Sequence, residues 1–261
     1  MNKSKLVLAG LCLISVSFFS CKDDKEDPAP SSGPGTVTLD ITNVAGAVNV
    51  DETGGTYYTN SSGESFNVSK LKYYISKVQF YNVDSMMYEM PESYFLVDES
   101  NQATTKLEIP DVPAGSYTSV RFTIGVDSTR NVSGAQTGAL DPANDMFWGW
   151  SSGYIFYKIE GKSPASSQPD SSFMYHIGGF KNSNSTNANR EVEIDFAGES
   201  LIVNGAREAE IHMLADVLKV FSTPNTISIA AFNTHMAPGG NAILIADNYA
   251  QMFSFEHLHN D

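Results

Sequence analysis

Five histidines and two tryptophans hold most of the side-chain chemistry in this 261-residue sequence, and all seven lie beyond residue 147. The sharpest pattern is His257-Leu258-His259. In an extended strand, residues two apart face the same way, so the two imidazoles stand about 6.5–7 Å apart and can share one metal ion. The same alternation predicts that Phe253 and Phe255 share their face and anchor it, with Met252, Ser254, Glu256 and Leu258 opposite. A fraying terminus is the competing reading. His235-Met236 follows the apolar run Ile227 to Phe232 and precedes the turn Pro238-Gly239-Gly240. Imidazole with thioether suits copper better than calcium or magnesium. His176 sits in the apolar run Phe173 to Gly179, where a hydrogen-bonded core histidine is the commoner role. His212 alternates with Ile211 and Met213 and is read as structural. Asp127, Asp141 and Asp145 offer oxygens for calcium, but their spacing matches no recognisable calcium loop.

Both tryptophans fall in one segment, Met146-Phe147-Trp148-Gly149-Trp150, at the mouth of a strand. In extended chain Trp148 and Trp150 share a face. They read as core or binding-surface aromatics, or as a platform on which sugars stack. Thiol chemistry is excluded from the folded part, because the only cysteines are Cys12 and Cys21. With 16 basic and 30 acidic residues and a net charge of −14, the chain is a poor partner for nucleic acid, which requires cations to neutralise phosphates. Anionic lipid headgroups are excluded on the same ground.

The elements that must position these residues begin after an address. Residues 1–20 read as a signal peptide, with Lys3 and Lys5 ahead of an apolar stretch too short to span a bilayer. Cys21 follows in the context Phe18-Phe19-Ser20-Cys21, which resembles a bacterial lipobox with an atypical aromatic residue. Cys21 is then the acylated first residue of the mature chain, and two or three lipid chains give a stable membrane anchor. Ordinary cleavage leaving a free Cys21 is the alternative. Cleavage leaves 14 basic against 30 acidic residues, a net charge of −16. Residues 21–35 combine an acidic run, Lys22 to Asp27, with a Pro/Gly/Ser-rich tether. The acidic run resembles the export tag of Bacteroidetes surface lipoproteins, which implies an outer-membrane lipoprotein facing outward; a merely solvated linker on a periplasm-facing lipoprotein is the alternative.

One domain is expected over residues 36–261. Short period-2 runs predict strands at 36–41, 71–81, 94–97, 106–109, 117–124, 154–159, 191–196, 227–232 and 252–259. Helical turns are expected at 216–221 and 240–250. Many strands and few helices predict an all-β fold, an antiparallel β-sandwich with one or two short helices.

The tryptophan, His176 and C-terminal segments together resemble the MbnP-like family of bacterial copper-associated proteins, named for a member encoded alongside methanobactin genes. The matching residues run from Gly138-Ala139-Leu140-Asp141 through Met146 to Phe156, then Glu160-Gly161, His176-Ile177-Gly178-Gly179 and Met252 to Asn260. Leu71 to Ser76 and Pro113 to Tyr117 fit its weaker half. The resemblance implies a β-sandwich that is not itself an enzyme. It implies a di-haem partner related to MauG that oxidises a tryptophan, Trp148 or Trp150, to kynurenine, and copper held by the modified protein. His176, His257 and His259 lie in matching motifs as implied ligands, and His235 matches only through its His-Met pair. The alternative is a non-metal surface module, a glycan or protein adhesin, with Trp148 and Trp150 as its contact surface. A hydrolase ranks last, because no motif fixes an acid/base pair or an activated nucleophile.

Overall fold

The computed structural model describes residues 33–83, 85–134, 136–149, 152–181 and 185–260. The signal peptide, Cys21, most of the tether and Trp150 therefore lie outside the described residues. The described residues are 46% strand and 14% helix, so the all-β reading stands. The helices are short: α1 (Ser128–Asn131) and α2 (Asn241–Tyr249), with 3-10 turns such as Val217–Phe221. Among the described residues no helix is long and apolar enough to cross a membrane.

The first sheet is organised around β1 (Gly35–Ala45), whose Val37, Leu39 and Ile41 are buried while Thr38, Asp40 and Thr42 face outward. β8 (Lys106–Val112) pairs with one side of β1 and β16 (Ala209–Asp216) with the other. β18 (Phe253–His259) closes the edge beyond β16, and β2 (Val48–Asn49) turns back onto the end of β1. The β1–β16 pair is parallel, which joins segments from the two ends of the domain. Alternation in β16 buries Ala209, Ile211, Met213 and Ala215 and turns Glu210 and His212 outward.

The second sheet runs in the order β14 (Arg190–Asp195), β10 (Ser119–Ile124), β5 (Lys70–Asn82), β12 (Gly153–Lys162), β13 (Ser172–Gly178) and β17 (Thr234–His235). β6 (Ser85–Glu89) and β7 (Tyr94–Asp98) also pair with β5, and β11 (Phe147–Gly149) pairs with β12. Two short ladders complete the fold, β3 (Tyr58–Thr59) with β4 (Ser65–Phe66) and β9 (Gly115–Tyr117) with β15 (Leu201–Val203). Among the described residues, all pairings are antiparallel except β1–β16 and β13–β17.

Aromatic rings join the two sheets. Phe253 of β18 packs edge-on against Tyr73 of β5 and Phe122 of β10, with centroids 5.9 and 5.0 Å apart. Burying a ring of that size contributes roughly 1.5–3 kcal/mol. The outer face of the second sheet is also covered, by the segment that leads to Trp148. Tyr74 and Tyr154 donate to the carbonyls of Ala139 and Leu140 at 3.0 and 2.6 Å. Lys158, buried in β12, places its ammonium 2.9 Å from the Asp145 carboxylate. A buried ammonium is tolerated only when paired, so this ion pair pins the segment to the sheet. Its hydrogen bond, aided by its charge, holds the Asp145 carboxyl below the usual range.

The strand expected at Ile227 to Phe232 does not form. Its backbone is taken up instead by Glu64, whose carboxylate accepts from the Ser228 hydroxyl and from the amides of Ile229 and Ala230 at 2.7, 2.6 and 2.9 Å. A charged acceptor for adjacent amides replaces the ladder hydrogen bonds that a strand would need, so the apolar run folds as a turn.

One carboxylate couples this fold to pH. Burial pushes the Glu52 carboxyl up to about 7 from 4.5, against the Leu71 amide that donates to it, and the nearby Asp98 and Glu99 add to the rise. The folded chain therefore keeps this proton up to about pH 7, whereas the unfolded chain releases it above about pH 4.5. The contribution of Glu52 to stability is full below pH 4.5 and is lost as pH rises through 7. Chemical denaturation of wild type and Glu52→Gln across pH 4–8 should show this decline in wild type and a flatter profile in the variant. Parallel profiles would contradict it.

Candidate metal centre

Strand pairing brings together three histidines that are far apart in sequence. Across the outer face of the first sheet, Lys106 lies opposite Asp40, Asp40 opposite His212, and His212 opposite His257. On the next rung Glu210 lies opposite His259. The alternation expected for the C-terminal strand is interrupted here. His212 pairs with His257 but Met213 pairs with Phe255, so Glu256 is an extra residue, a β-bulge. Phe253 and Phe255 therefore pack inward, and Leu258 turns to the core opposite Ile211. His257 and His259 emerge on the other face, with His212. This corrects the single face expected for Phe253, Phe255, His257 and His259. Apolar rings and imidazoles have opposite preferences for burial, and one inserted residue satisfies both.

Ligand nitrogens of His212, His257 and His259 all lie within 4.8 Å of one another. His212 and His257 stack, with centroids 4.2 Å apart and planes 9° from parallel. The Nε2 atoms of His257 and His259 approach to 3.2 Å. Two imidazole nitrogens bound tetrahedrally to one ion at roughly 2.0–2.1 Å would stand about 3.3 Å apart. Nε2 of His212 is shielded from solvent and makes no hydrogen bond, although Glu210 Oε2 lies 3.3 Å away. A solvent-shielded nitrogen that makes no hydrogen bond, beside two converging imidazoles, is the donor set a nitrogen-preferring metal needs.

A second group shares His212. Asp40, Glu210 and His212 also offer atoms within 4.8 Å of one another. Asp40 Oδ2 is 3.6 Å from His212 Nδ1. Lys106 Nζ lies between these acids, 2.8 Å from Asp40 and 3.1 Å from Glu210, and their hydrogen bonds, Asp40's first, raise its pKa above the ordinary lysine value. Sequence reasoning missed this arrangement. The signal available for His212 was the alternation Ala209-Glu210-Ile211-His212, which turns the histidine to the same face as a glutamate.

The remaining expected residues lie elsewhere. On the outer face of the second sheet, Nε2 of His176 is 2.7 Å from Glu160 Oε1, a contact that holds the Glu160 carboxyl below its usual range against burial. His235, on the edge strand β17, bonds the Ala237 carbonyl at 2.7 Å. Both sit on strands of the second sheet, whereas the His212 cluster lies on the first, so the structure does not gather all four expected histidines in one place. Asp127 caps α1 and accepts from Tyr94, Asp141 caps the turn at Ala143, and Asp145 pairs with Lys158 and Lys70. The three aspartates thus have separate duties rather than a common ion. Trp148 is half-buried and lies against Gly178 of β13. Gly178 and His176 are two apart in that strand, so the indole and the His176 imidazole share a face.

The family model for MbnP matches residues 34–237. The matched span includes Trp148, His176, His212 and His235 and ends before α2, so His257 and His259 lie beyond it. Among solved structures, MbnP from Methylosinus trichosporium is similar to this chain at 16% identity, over 78% of this chain and 82% of that one, with a TM-score of 0.49. No curated protein matches the chain.

The packing of Trp148 is directly testable. A Cβ on Gly178 would collide with the Tyr154 carbonyl and come within 3.0 Å of the indole. Gly178→Ala should lower stability by about 1–3 kcal/mol and red-shift tryptophan emission as the ring is displaced. Unchanged emission and unfolding midpoint would contradict the placement.

Proposed function

The chain belongs to the MbnP family, and from that premise we propose that it binds a copper ion through His212, His257 and His259. The observation that carries the reading is the convergence of three imidazoles, one with a solvent-shielded nitrogen that makes no hydrogen bond, on one sheet face. Three imidazoles suit copper, and no thiol competes for it among residues 22–261. The protein acts by holding the ion rather than by turning over a substrate.

The same proposal includes a surface lipoprotein anchored through Cys21 in the outer membrane, which the signal peptide and the acidic tether support. It also includes a MauG-like di-haem partner that oxidises Trp148 or Trp150 to kynurenine. A second reading of the copper site follows from that step. Trp148 shares a face with His176, so a kynurenine made there would present its new nitrogen and ketone beside His176, away from the His212 cluster.

Titration of residues 33–261 with Cu(I) and Cu(II) separates the two readings. His257→Ala/His259→Ala should abolish stoichiometric copper binding at micromolar protein, and His176→Ala should leave it intact. The reverse result, together with an intact mass showing a modified tryptophan, would establish the second reading. No copper bound by unmodified wild type at micromolar concentration would overturn the first. For the anchor, Cys21→Ser should move the expressed protein from the membrane fraction to the soluble fraction. An unchanged distribution would refute acylation at this residue.

A further inference from the structure

The outer face of the first sheet holds two overlapping donor sets that differ in chemical character. One is three imidazoles; the other is the carboxylates of Asp40 and Glu210 with the imidazole of His212. Oxygen-rich sets with one imidazole favour harder divalent ions such as Mn²⁺, whereas all-nitrogen sets favour copper and zinc. The harder set is well formed. Its side chains are only 16%, 22% and 19% exposed, so they are held by packing rather than swinging in solvent. A groove of about 450 Å³, lined by Thr36, Thr38, Lys106, Glu108, Glu208 and Glu210, gives solvent access beside it.

What occupies that set is the chain's own cation. The Lys106 ammonium contacts one oxygen of each carboxylate, at 2.8 and 3.1 Å, where a divalent ion would bridge them. Lys106 reaches this place from the neighbouring strand β8 and is 57% exposed, so packing does not require it there. Two carboxylates this close favour any bound cation, and an intramolecular ammonium is present at high effective concentration. A lysine offers charge and hydrogen bonds but cannot accept electron pairs, so it satisfies the acids without engaging His212.

We propose that Lys106 determines the metal selectivity of this face: its ammonium fills the Asp40–Glu210 pair and so blocks a second, harder cation site that would share His212. The acids then serve to hold the lysine and to flank His212, and the imidazoles alone face an incoming ion. The inference shares only His212 with the copper reading, and it stands or falls independently of His257 and His259.

The test uses Mn²⁺, whose free-ion electron paramagnetic resonance signal is lost on binding. Wild type should leave at least nine-tenths of the signal at equimolar Mn²⁺ and protein, about 0.1 mM each. Lys106→Met should bind at least about four-tenths of the ion under the same conditions, a tightening of at least about tenfold. Lys106→Arg, which keeps the cation, should behave as wild type. Lys106→Met/Asp40→Asn should lose the gain, and Lys106→Met/His257→Ala/His259→Ala should retain it. Lys106→Gln serves as the second variant if the methionine form fails to fold by circular dichroism. Manganese binding in the Lys106 variants no tighter than in wild type overturns the inference, as does equal tightening in Lys106→Arg. Loss of copper binding by wild type would instead count against the copper reading and leave this one standing.

Discussion

The register of β16 between β1 and β18 is the constraint on which the functional face depends. β16 is parallel to one neighbour and antiparallel to the other, and its alternation must bury Ile211 and Met213 against the second sheet. That requirement turns His212 and Glu210 outward. Because a one-residue slip would exchange the two faces, burial of the apolar set places the imidazole opposite Asp40 and His257. The bulge at Glu256 resolves the remaining conflict. Without it, the strand that buries Phe253 and Phe255 would bury His257 and His259 with them.

Scarcity of cations gives the few that are present defined roles. The sequence has 16 lysines and arginines against 30 acids, and two of the lysines sit at structurally decisive points. Lys158 is buried, and its pairing with Asp145 fastens the segment carrying Trp148 over the second sheet. Lys106 is half-exposed and lies between two carboxylates at the edge of the histidine cluster. Removal of the first would take away the buried partner that holds Asp145 and its segment on the sheet, whereas removal of the second leaves an open acidic pair. The same kind of ion pair thus has opposite consequences according to its burial.

Much of the scaffold was legible in the residues. Alternation in Thr36 to Ile41, Leu71 to Tyr81 and Lys106 to Ile109 foretold strands that the structure contains, and the helix near 240–250 is present as α2. These are local signals, set by side-chain period and turn residues. The segment Ile227 to Phe232 shows where such signals fail. Its apolar composition reads as a strand, yet Glu64, more than 160 residues away, captures its amides. No property of the segment itself announces that acceptor.

The sequence alone determined the class of the domain and the absence of thiols from residues 22–261, and it placed His257 and His259, but not His212, among the candidate ligands. It could also show that His257 and His259 face the same way, because that follows from strand geometry. Only the tertiary structure decided which histidines meet. His212 joins them through the β16–β18 pairing, while His176 and His235 are carried to the other sheet, where Glu160 and the Ala237 carbonyl take up their ring nitrogens. The reason is that strand period is a local property, but strand neighbours are chosen by burial of apolar faces from distant parts of the chain.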